Sequence, residues 1–97
     1  MRVFKSDHRY KHYRAGYHYI AEFARAGRTD HPLFVAMVTE LRALHGHNIV
    51  TFADKDGWPN KRLNEHYIIE QRQGHSHKRI YVKNESDLSL ILLKLNQ

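Results

Sequence analysis

Ninety-seven residues with 41% apolar, 27% charged and 11% aromatic side chains make one small globular domain, too short for two ordinary cores. The absence of cysteine excludes a disulfide framework, thiolate catalysis, iron–sulfur clusters and any cysteine-bound zinc. No apolar run approaches the roughly 20 residues of a membrane span and no secretory signal is visible at the start, so a cytoplasmic protein without membrane contact is expected. The formal charge of +6 is unevenly placed: residues 1–28 carry a net +5, residues 29–60 a net −2 and residues 61–97 a net +3. Two basic ends around a neutral middle suggest an electrostatic footprint for a polyanion.

In chain order, residues 1–10 read as an arm or a short strand. From Lys11 to Ala26, apolar Tyr10, Tyr13, Tyr17, Ile20, Ala21 and Ala24 recur every three or four residues and Gly27 follows, which predicts a first helix; Tyr13–Tyr19 also tolerates a strand. Thr29-Asp30, Pro32 and Gly46 punctuate a second helix whose stripe is Leu33, Phe34, Met37, Val38, Leu41 and Leu44. Ile49–Ala53 is β-branched and short, and Asp54–Asn60 is turn chemistry. Residues 65–72 and 77–83 read as a hairpin around Gln73-Gly74-His75-Ser76. A last helix over Leu88–Leu95 is capped by Ser86 or Asp87, with acidic residues at its start and Lys94 at its end. The expected fold is α+β: a three-stranded antiparallel sheet, order α-α-β-β-β-α, with helices on one face and the other open. From the second helix onward this order is similar to that of double-stranded-RNA-binding domains and of the HicA type of toxin. The likeness is of topology alone, and Glu85-Ser86-Asp87 stands where an RNA-binding domain has basic residues.

Binding chemistry is read at two places. If Ile80 and Val82 face the core, His77, Arg79, Tyr81 and Lys83 face outward, an aromatic ring between cations suited to stacking a base and reaching phosphates. Arg9, Lys11 and Arg14 lie in a segment that interleaves cations with rings, as backbone-tracking proteins do. The leading expectation is therefore a non-enzymatic domain for RNA or single strands. The alternative is a small protein-binding module, an inhibitor or accessory subunit of a larger machine, whose partner is acidic or is a second copy. Leu90 and Leu93, off the main stripe of the last helix, would form that interface. A third reading is a histidine-dependent ribonuclease pairing His45 with His75 near Lys78 or Arg79. His8/His12, His45/His47 and His75/His77 have the spacing of metal-ligand pairs, but nothing selects a third ligand. No metal, no cofactor and no catalytic residue is therefore assigned.

Overall fold

The computed structural model describes residues 1–24, 30–53, 55–71 and 77–95. Eight elements follow one another: β1 (Arg2–Lys5), β2 (Tyr19–Ala24), α1 (Asp30–His45), β3 (Ile49–Ala53), β4 (Pro59–Leu63), β5 (Tyr67–Gln71), β6 (His77–Val82) and α2 (Glu85–Leu95). The class is α+β, with a four-stranded antiparallel sheet in the order β1-β2-β6-β5; β3 and β4 pair only with each other.

Both helices pack on one face of the four-stranded sheet. Ala21 and Phe23 of β2, Tyr67 of β5 and Ile80 and Val82 of β6 meet Phe34, Met37, Val38 and Leu41 of α1 and Leu88 and Ile91 of α2. Burying such side chains is worth roughly 1.5–3 kcal/mol each, so this cluster dominates the hydrophobic stabilisation. The stripe expected for the second helix largely holds, although Leu44 is exposed.

The expected architecture is corrected in three places. Residues 11–26 do not form a helix: residues 8–16 are turns and residues 19–24 are β2. The strand's apolar positions serve two faces, Tyr19, Ala21 and Phe23 toward the helices and Ile20 toward the opposite side, so its alternation is masked. Gly16, at φ +98°, takes a backbone conformation that glycine adopts without penalty. Second, Pro59–Leu63 is a strand, and the sequence order from α1 onward is αββββα rather than αβββα. Every residue of β4 is exposed, leaving no hydrophobic pattern to read. Third, the sheet has four strands because β1 and β2 join β5 and β6, while β3, expected in the sheet, pairs with β4 outside it. The turn at 73–76 and the end of the expected first helix lie outside the described residues.

Candidate functional site

Register builds the second face of the sheet in rows. Phe4, Ile20, Tyr81 and Ile68 align across β1, β2, β6 and β5, and the adjoining row is Arg2, Glu22, Arg79 and Glu70. The first row is an apolar strip. The second alternates in charge: Glu22 accepts from Arg2 at 3.1 Å and from Arg79 Nε at 2.9 Å, and Arg79 lies 3.8 Å from Glu70. Burial works against the Arg79 cation, but hydrogen bonds with Glu22 and Tyr81 prevail and raise its pKa.

Residues 7–17 fold back over the apolar strip. Successive turns carry the segment, with the amides of Tyr10, Tyr13 and Gly16 donating to the carbonyls of Asp7, Tyr10 and Tyr13. Tyr17 joins Ile20, Ile68 and Tyr81 in a second buried cluster, against which Phe4 and Tyr10 pack. His12 meets Tyr81 edge-on at 4.8 Å and lies 3.8 Å from Glu70. Its burial lowers its pKa despite that carboxylate. At the start of the segment Asp7 accepts from both the guanidinium and the backbone N–H of Arg9, which hold its carboxyl down at about 2. The expected open face is thus partly covered.

Between this covering segment and the charged row lies a cleft of about 370 Å³, lined by Arg9, Tyr10, Lys11, Glu70, Arg79 and Tyr81. The two sequence-defined regions, about seventy residues apart, therefore meet. Their chemistry differs from expectation in detail. Tyr81 is 1% exposed, so its ring is not available for stacking; its hydroxyl faces Glu70 at 3.4 Å, and burial raises its pKa. The ring at the cleft wall is Tyr10, with the Arg79 guanidinium 5.5 Å from its centroid. Arg9 and Arg79 are already engaged by carboxylates. Lys11 and Arg14 are exposed, and among the described residues no carboxylate bonds to them or to Lys83. Lys83 is half-buried, its ammonium 5.0 Å from the Tyr17 ring. The side chain of His77 lies outside the described residues, as does His75, so the expected His45–His75 pair has no described geometry.

At the C-terminal end of α1, Asn64 ties a junction together. This buried side chain donates to the carbonyls of His45 at 2.8 Å and His47 at 2.9 Å and accepts from the His66 amide at 2.8 Å. Tyr17 donates its hydroxyl to the Asn64 carbonyl, and Tyr67 donates to that of Gly46 at 2.6 Å. The result stacks the imidazoles of His45 and His66 at 3.8 Å and 11° and brings both to Asp87, a grouping of metal-ligand type. Sequence spacing missed it because the three residues come from separate elements; His47, the partner suggested by spacing, is exposed and outside the grouping. On α2, Leu90 and Leu93 are 43% and 62% exposed. No helix among the described residues is long and apolar enough to cross a membrane.

Comparisons with protein-family models, with curated proteins and with solved structures find no match to this chain.

Proposed function

We propose that this chain is a non-enzymatic nucleic-acid-binding domain that takes RNA or single strands ahead of duplex DNA. The observation that carries the reading is the cleft itself, where Arg9 and Lys11 of the covering segment meet Arg79 of β6 beside the Tyr10 ring. Lys11 and Arg14, with Lys83, supply phosphate contacts, because the arginines of the cleft are offset by Asp7, Glu22 and Glu70. The Tyr10 ring and the Arg79 guanidinium offer planar surfaces to an unstacked base. A regular duplex keeps its bases stacked inside and has no use for such a wall.

Fluorescence anisotropy with a labelled single-stranded RNA tests this reading. The double variant Lys11→Ala/Arg14→Ala, which changes two exposed side chains, weakens binding by about tenfold or more if both contact phosphates. Equal affinity of variant and wild type contradicts it. A second reading is favoured by exposed Leu90 and Leu93: a protein partner or a second copy seated on α2. In that case light scattering shows a salt-resistant dimer or complex that Leu90→Asp/Leu93→Asp disperses, and the wild type leaves RNA unbound.

A further inference from the structure

His45, in the last turn of α1, His66, in the link between β4 and β5, and Asp87, in the first turn of α2, converge from positions far apart in the chain. One nitrogen of each histidine and a carboxylate oxygen of Asp87 all lie within 4.8 Å of one another. His45 Nε2 is 3.1 Å and His66 Nδ1 3.9 Å from Asp87 Oδ2. Ligands held at about 2.0–2.1 Å from a tetrahedral zinc ion are separated by about 3.3 Å, so the three atoms are near enough to share one ion once one imidazole rotates out of the stack.

A plain histidine–carboxylate pair accounts less well for this arrangement. His45 Nε2 and Asp87 Oδ2 are buried and make no hydrogen bond to each other or to any other group among the described residues, despite their 3.1 Å separation. A ring N–H aimed at the carboxylate would satisfy both atoms. Two buried polar atoms left 3.1 Å apart without a hydrogen bond are atoms that a bound cation would satisfy. The stacked rings each bring a nitrogen near the same oxygen, at 3.1 and 3.9 Å. Asn64 fixes the backbone at both histidines, supplying the rigidity on which metal affinity depends.

We infer that His45, His66 and Asp87 form a binding site for a divalent first-row transition metal of the zinc class, with three protein ligands and one open position. Two imidazoles and a carboxylate suit such ions better than calcium or magnesium, which prefer oxygen. A pocket of about 140 Å³ lined by His45, His66, Arg62, Asn64 and Glu65 borders both histidines and has room for water or an anion beside the ion. This site is separate from the proposed nucleic-acid cleft and stands or falls independently of it.

The test is titration of the chelator-stripped full chain with Zn2+ in competition with a chromophoric chelator, paired with the absorption spectrum of added Co2+. The expected result is one tight ion per chain and a tetrahedral Co2+ spectrum. Both are retained in His47→Ala, and zinc affinity falls more than tenfold in His66→Ala and in the isosteric Asp87→Asn. Zinc also raises the melting temperature of the wild type and of His47→Ala, but not of the two ligand variants. If His66→Ala fails to fold, Asp87→Asn decides alone. Absence of stoichiometric zinc binding, or wild-type affinity in Asp87→Asn, overturns the inference.

Discussion

Asn64 is the one polar residue among the described buried set, and its side chain satisfies two carbonyls and one amide at the junction of α1 with β5. Removing it leaves those part-buried groups without their protein partner. Asn64→Ala is expected to lose on the order of 2–4 kcal/mol of stability, measured by urea unfolding; a change near zero would show that water replaces the amide. His12 gives a second residue-level prediction, in pH. Burial lowers its folded pKa below the usual 6.5, so the unfolded chain binds more protons as the pH falls through that value. The fold therefore loses stability from about pH 6.5 downward until the depressed folded pKa is passed, and recovers it as the pH rises. His12→Gln, which cannot titrate, should flatten this part of the stability profile; an unchanged profile would assign the dependence to other groups.

At the scale of elements, α1 was legible because its cap, its stripe and its glycine stop all agree, and β3, β5, β6 and α2 were legible for similar local reasons. β2 was not. A strand buried on both faces has apolar residues at successive positions, and Tyr17, Ile20, Ala21 and Ala24 then imitate a helical period. β4 was hidden for the opposite reason, since Pro59-Asn60-Lys61-Arg62 is exposed throughout and pairs only with β3. Two-stranded ribbons are marginally stable without further packing. Amide hydrogen exchange should accordingly be faster by orders of magnitude in β3–β4 than in the central pair β2–β6. Protection equal to that of β6 would mean that a partner covers the hairpin, whose Ile49, Trp58 and Leu63 are exposed. The candidate cleft was half-legible: composition singled out both of its walls, but nothing local said that residues 7–17 would cover Tyr81 or that Glu22 and Glu70 would engage Arg79.

For the whole molecule, net charge alone does not place the positive potential. Carboxylates aligned with Arg2 and Arg79 offset charge at the sheet row, and Asp7 does the same for Arg9. In the proposed reading, phosphate contact therefore falls to Lys11 and Arg14 rather than to the more numerous cations counted in the sequence. The most direct test is the dependence of single-stranded RNA affinity on salt concentration for the wild type and Lys11→Ala/Arg14→Ala. Each phosphate contact on a single strand contributes about 0.7 to the slope of log affinity against log salt. Steep weakening is expected for the wild type, with a slope shallower by about 1.4 in the double variant. A slope near zero, or one that the double substitution leaves unchanged, would contradict it.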